Sequence, residues 1–303
     1  MKGFKYSLLI SIVMLLTYSC GSRSERGQGS PSDEQSTAES SAYTFEDFME
    51  DAKTIPLSNT SISGIHQYLV IAQVDYFQEL CNAPENVSRY LDSYPFAAAN
   101  LGVYFADLIY HTYGRATENT SATIDSILQL ADYLGMETGL EDGLLNRYQD
   151  QLYPADSTFL FWNSLMEESE KYTSESEKVF LKSALLLGNN IEKWFLVSSL
   201  IQTPFSREIS PEDASLAKKE LSYLLMNIEP RVSALINIFN AQKDMLDSVL
   251  LLEELEKLKS AANTLYNSGD KILLLDAAGI MKNAELGALH ESLSAIRNGI
   301  VKE

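Results

Sequence analysis

"VFLKSALLLGNN", residues 179–190, is apolar on most sides of the helix it would form. A helix on a protein surface keeps a polar stripe, whereas one that is apolar all round is enclosed by other elements. The run therefore predicts a central helix, and the rest of the chain must supply what surrounds it. Downstream, Leu251, Leu255, Leu258, Ala262 and Leu265 step by four, three, four and three residues. Glu253, Glu254, Glu256, Lys257 and Lys259 fall mainly off that seam, the pattern of an amphipathic helix lying on a core. Upstream, Ala97, Ala98, Ala99 and Gly102 strip bulk from another helix so that a neighbour can approach closely. Tyr104, Tyr110 and Tyr113 then add large rings whose hydroxyls need partners when buried.

No sustained alternation of apolar and polar residues marks a strand, and no Asn-Gly or Asp-Gly turn joins β-branched runs. Helix punctuation is frequent instead. Thr44 with Asp47, and Asn82 with Pro84 and Glu85, have the form of N-terminal caps. Pro95 and Ser210 mark two further starts, and Gly114 and Gly135 two stops. The expected helices span 43–54, 63–81, 84–92, 95–113, 120–134, 139–153, 157–172, 175–202, 211–228, 230–243, 245–267 and 282–300, with a further helical stretch over 270–280. Pro230 should break the 211–243 span, because it has no amide to bond residue 226. The fold class is therefore all-α. A single multi-helix domain, 43–303, is built of packed antiparallel helix pairs comparable to the tetratricopeptide type, without a fixed repeat of about 34 residues.

The first forty residues concern location. Lys2 and Lys5 precede an uncharged stretch from Tyr6 to Ser19, which holds ten apolar residues, its two tyrosines included, against the roughly 20 that a spanning helix needs. This is the form of a signal peptide, 1–19, with Cys20 behind a small residue as in a lipobox, although Thr17 and Tyr18 depart from the usual pattern. Gly21 to Ser41 is a run of Ser, Gly, Glu and Gln that cannot bury enough apolar surface to order itself. Residues 20–42 thus make a lipidated cysteine and a tether. A flexible coil of that length spans roughly 25 Å.

With residues 1–19 removed, 21 basic residues face 42 acidic ones, a net charge of −21. Such a surface repels phosphate backbones, so nucleic acid is excluded as a partner. Besides Cys20 only Cys81 carries a thiol, which leaves no internal disulfide and reads as a small apolar residue in a helix. The histidines are His66, His111 and His290, and none lies in an HExxH or ExxH pattern. No metal, haem or other cofactor is expected, and no GxSxG or P-loop is present. Asp107 and His111, four apart, share a helix face, where a carboxylate can orient an imidazole; a structural hydrogen bond is the preferred reading over catalysis. Tyr90, Tyr94, Tyr104, Tyr110 and Tyr113 either close a helix–helix core or line a groove for a sugar or peptide. Asp156-Ser157-Thr158 has the form of an O-glycosylation acceptor.

"YPFAAANLGVYFADLIYHTYGRATENTSATIDSILQLADYLGM" (Tyr94–Met136) resembles a recurring segment of uncharacterised all-helical lipoproteins of Bacteroidota. "ALLLGNNIEKWFLVSSL" (Ala184–Leu200) is similar to a second segment of the same proteins, with Asn190 and Lys193 as departures. The resemblance implies a helical fold and an envelope address and carries no catalytic residues. The outer membrane is favoured by analogy, since Gly21 is not the aspartate that retains such proteins in the inner membrane of enteric bacteria. The expectation is a lipid-anchored envelope protein, not an enzyme, acting as a binding or scaffold module for an envelope protein or small ligand. The alternative is a small-ligand or glycan receptor using a groove formed by Tyr94, Tyr104, Asp107, Tyr110, His111 and Tyr113.

Overall fold

The helix foreseen at 179–190 lies at the centre of the protein. A computed structural model describes residues 75–136, 179–205, 209–241 and 248–301. Cys20, the tether, the O-glycosylation pattern and the helices expected at 43–54, 139–153 and 157–172 fall outside the described residues. Eight α-helices carry those that are described: α1 Tyr94–Gly114, α2 Thr117–Tyr133, α3 Val179–Gln202, α4 Pro211–Met226, α5 Glu229–Ala241, α6 Ser248–Ile272, α7 Ala277–Met281 and α8 Ala284–Val301. No strand occurs among the described residues.

From Ser183 to Ile201 every residue of α3 except Phe195 is buried, and α1, α4, α5, α7 and α8 all pack against it. The closest approach is to α1. A Cβ on Gly102 would collide with the Leu185 carbonyl, and one on Gly188 with the Ala99 carbonyl. The small-residue stripe thus serves close helix contact, with a glycine on each side of the seam. α1 and α2 form an antiparallel hairpin, as Tyr94 at the start of one stacks on Tyr133 at the end of the other, centroids 5.1 Å apart. α3 and α8 are also antiparallel, since Glu192 meets Arg297 while Ser198 meets His290.

α6 buries Leu255, Leu258, Ala262 and Leu265 fully, and Leu251 partly, on the seam that its spacing foretells. Ser210 caps α4 by accepting the Asp213 amide at 3.1 Å. Pro230 sits in the first turn of α5, and the chain breaks between Met226 and Glu229.

Several boundaries differ from expectation, each for a local reason. Residues 75–81 are not the end of a helix over 63–81; only Gln78–Leu80 form a 3-10 turn. The helix expected at 84–92 is a 3-10 helix, Pro84–Arg89, whose cap position is Ala83. Asn82 does not cap it, because its side chain turns inward to other partners. α1 runs through Gly114 and stops at Arg115, which takes the left-handed conformation at φ 52°. Gly114 is small for another reason, since a Cβ there would strike the Tyr76 ring. Gly135 does end α2 as foreseen, with φ 71° and the Met136 amide on the Ala131 carbonyl at 2.9 Å. α6 continues to Ile272, and the stretch to residue 280 holds only the short α7, capped by Asp276.

Candidate functional site

Tyr104, Asp107, Tyr110 and His111 lie three, three and one residues apart, which places them along one face of α1. That face is covered by the chain itself. Tyr104 donates its hydroxyl to the Ala83 carbonyl at 2.9 Å, and the Tyr110 hydroxyl accepts the Phe77 amide at 2.9 Å. Asp107 Oδ2 accepts the Asn82 amide at 3.0 Å. Arg297 of α8 donates to the Leu80 carbonyl at 3.2 Å. Four backbone groups of residues 75–83 are therefore satisfied by side chains of α1 and α8. A segment without regular backbone pairing needs such partners when enclosed.

Tyr76 anchors the other end of this segment. Asn119 donates to its hydroxyl at 3.0 Å, and the hydroxyl lies 2.7 Å from His111 Nδ1. Phenol and imidazole share one hydrogen bond, whose direction follows the tautomer of the ring. Nε2 is buried without a protein partner. Burial pulls the His111 pKa down to about 4, so the ring is neutral at physiological pH. Burial also pushes Tyr76 up to about 12 and raises Tyr104 and Tyr110 beyond the ordinary phenol range.

Beneath this layer lies a charge cluster. Asp107 and Glu192 are fully buried, and Asp107 Oδ1 has no hydrogen-bond partner. Arg297 Nε donates to Glu192 Oε2 at 2.7 Å, and its guanidinium stacks 4.4 Å above Phe195. Burial, then the charge of Glu192, raises Asp107 well above the carboxyl range, with Arg297 opposing. The Cys81 thiol is raised too, first by burial and then by the charge of Asp107. It stands 3.9 Å from His111 Nδ1. A catalytic thiol needs a cationic, thiolate-favouring setting, and Cys81 has the reverse. Among the described residues no group of three His, Cys, Asp or Glu side chains could hold a metal ion.

A second polar network closes the end of α8. Asn100 donates to the Ile300 carbonyl at 2.8 Å and Tyr90 to the Val301 carbonyl at 3.2 Å, while Asn82 bonds both side chains. These groups satisfy carbonyls that a helix end leaves without intrahelical partners.

The structure thus brings Tyr104, Asp107, Tyr110 and His111 together but buries all four. They do not line an open groove. Tyr113 is half-buried and stacked on Tyr110, centroids 6.2 Å apart. Tyr94 lies elsewhere, 54% exposed at the start of α1. Asp107 and His111, expected to pair, bond to different partners, Asn82 and Tyr76. Glu192, Arg297, Asn82 and Asn100 were not foreseen. Their signal was a polar residue inside an apolar helix, as with Glu192 and Lys193 in "NNIEKWF". The chain matches no family model, no curated protein and no solved structure.

Proposed function

We propose that this chain is a lipid-anchored cell-envelope protein whose helical body is a non-catalytic binding or scaffold module. The observation carrying this reading is where the polar side chains go. The polar face of α1 holds residues 75–83 rather than standing open to a ligand, while large apolar groups stand outside. Leu216 and Tyr223 are seven residues apart on α4 and both more than half exposed, and Tyr266 on α6 is 63% exposed. Leu216 and Tyr223, at helical spacing on one face of α4, give a protein partner apolar side chains to cover. The order of apolar stretch, Cys20 and polar spacer supports the anchor, and the resemblance to helical lipoproteins of Bacteroidota supports an outer-membrane address. Among the described residues no helix is long and apolar enough to cross a membrane.

Labelling with radioactive palmitate tests the anchor; the wild type should incorporate it and Cys20→Ser should not. Cross-linking in native envelopes tests the module. A partner captured by the wild type should be lost in a Leu216→Asp, Tyr223→Ala double variant that keeps its helical circular dichroism. Equal capture by both would refute this surface.

A glycan-binding reading has one favouring observation, the exposed Tyr94 ring stacked on Tyr133. Rings of this kind stack on sugars. Titration with soluble oligosaccharides, comparing wild type with Tyr94→Ala, decides it. Heat of binding in the wild type alone supports a sugar, and none in either dismisses it.

A further inference from the structure

Residues 75–83 lie on the helical body rather than in it. Among them only Asn82 is buried, and Gln78, Glu79 and Ala83 are exposed. Their only regular structure is the 3-10 turn of Gln78–Leu80. The α1 side chains beneath them are nevertheless enclosed, since Tyr104, Asp107, Tyr110 and His111 are each 2% exposed or less. The segment therefore stands to α1 as a bound peptide stands to its groove. A segment with so few buried groups opens at less cost than the body beneath it.

In peptide recognition, main-chain bonds give affinity and a side-chain pocket gives specificity. Both are present here. The Phe77 and Asn82 amides donate to Tyr110 and Asp107, and the Leu80 and Ala83 carbonyls accept from Arg297 and Tyr104. Any sequence carries such main-chain groups. The pocket holds Tyr76. Its ring lies 5.1 Å from that of Tyr110 and edge-on to His111, and its hydroxyl meets His111 and Asn119. The ring has room because residue 114 is glycine.

We propose that this face is a peptide-binding groove filled in cis by residues 75–83, and that an extended segment of a partner protein takes their place. The partner segment carries a tyrosine for the Tyr76 position and, one and six residues after it, main-chain amides and hence no proline. A second copy of this chain is a poorer donor. Directly after Ala83 the chain is tied down by buried Val87 and by Tyr90, which donates to the Val301 carbonyl, so residues 75–83 have no free length to reach another molecule. The inference rests on the reading of a binding module but not on the Leu216 and Tyr223 surface of α4.

A fluorescent peptide copying residues 75–83, titrated into the full chain and read by anisotropy, tests the groove. A Tyr76→Ala chain has lost the anchor of its own segment and should bind the peptide about tenfold or more tighter than the wild type. Phe77→Pro in the peptide should abolish binding. Adding Leu216→Asp and Tyr223→Ala to the Tyr76→Ala chain should leave its affinity unchanged, which separates the groove from the α4 surface. The proposal is overturned if the Tyr76→Ala chain shows no saturable binding, if the Phe77→Pro peptide binds equally, or if the α4 substitutions weaken binding. It is also overturned if the wild type is a dimer that the peptide dissociates, because the occupant is then a second copy. Should Tyr76→Ala not fold, hydrogen exchange of the wild type decides. The Phe77 and Asn82 amides, corrected for intrinsic rates, should exchange about tenfold or more faster than those of α6, and equal protection overturns the groove.

Discussion

Gly188 of α3 lies against the carbonyl of Ala99 of α1 so closely that a Cβ has no room between them. The same holds for Gly102 against Leu185. Since the obstacle is backbone, side-chain repacking cannot relieve it. Gly188→Ala and Gly102→Ala should each cost about 2 kcal/mol or more in urea unfolding. Gly287 and Gly299 on α8 have open space at the same point. There alanine should stabilise by up to about 1 kcal/mol through helix propensity. If all four variants behave alike, the close approach of α1 and α3 is wrong.

Arg115 ends α1 with φ 52°, a conformation that costs a side-chain-bearing residue about 1 kcal/mol. Glycine removes that cost. Arg115→Gly should raise the melting temperature by a few degrees, whereas Gly135→Ala, at φ 71°, should lower it. A fall in both would argue that the Arg115 side chain matters more than its backbone.

Lys218 of α4 is buried and donates to the carbonyls of Leu200, Ile201 and Thr203 at 3.2, 2.7 and 2.8 Å. Its ammonium also sits 4.0 Å over the Phe205 ring. It therefore caps the C-terminus of α3, where carbonyls lack partners and a cation suits the helix dipole. Lys218→Met should cost about 2–4 kcal/mol, because those carbonyls stay buried without a donor. Burial pulls the ammonium down to about 8. Above that value the folded chain gives up the proton first, so this lysine's contribution to stability rises with pH towards its unfolded value of about 10.4. Unfolding midpoints across that interval should climb more in the wild type than in Lys218→Met.

His111 has the matching dependence on the acid side. Its folded value near 4 lies below the ordinary 6.5, so the unfolded chain binds the proton first as pH falls. Stability from this residue is complete above about 6.5 and is lost down to about 4, by at most about 3 kcal/mol. His290, lowered by burial, acts in the same direction. His111→Gln should flatten the wild-type acid slope, and an unchanged slope would mean the imidazole is already charged in the fold.

Local patterns carried far along this chain. The seam of Leu255, Leu258, Ala262 and Leu265, the enclosed run at 179–190, the Ser210 cap and the break at Pro230 depend on residues within a few turns, and each stands in the structure as its spacing implies. Failures came where a distant group changed the outcome. Asn82 has the spacing of a cap, yet Tyr90 and Asn100 draw its side chain inward. Gly114 looks like a stop, yet it makes room for Tyr76. The tyrosine face was legible as a set of polar groups at helical spacing, but not as one covered by residues 75–83.

By itself, then, the order of residues determined an all-helical body, its central helix and the glycine- and alanine-lined contact beside it, because helix period, caps and bulk are properties of short windows. Only the tertiary structure decided which polar groups meet. Arg297 lies 105 residues from Glu192 in sequence, and Tyr90 lies 211 from Val301. A buried charge or carbonyl accepts whatever donor the packing brings to it, and no local pattern encodes that donor.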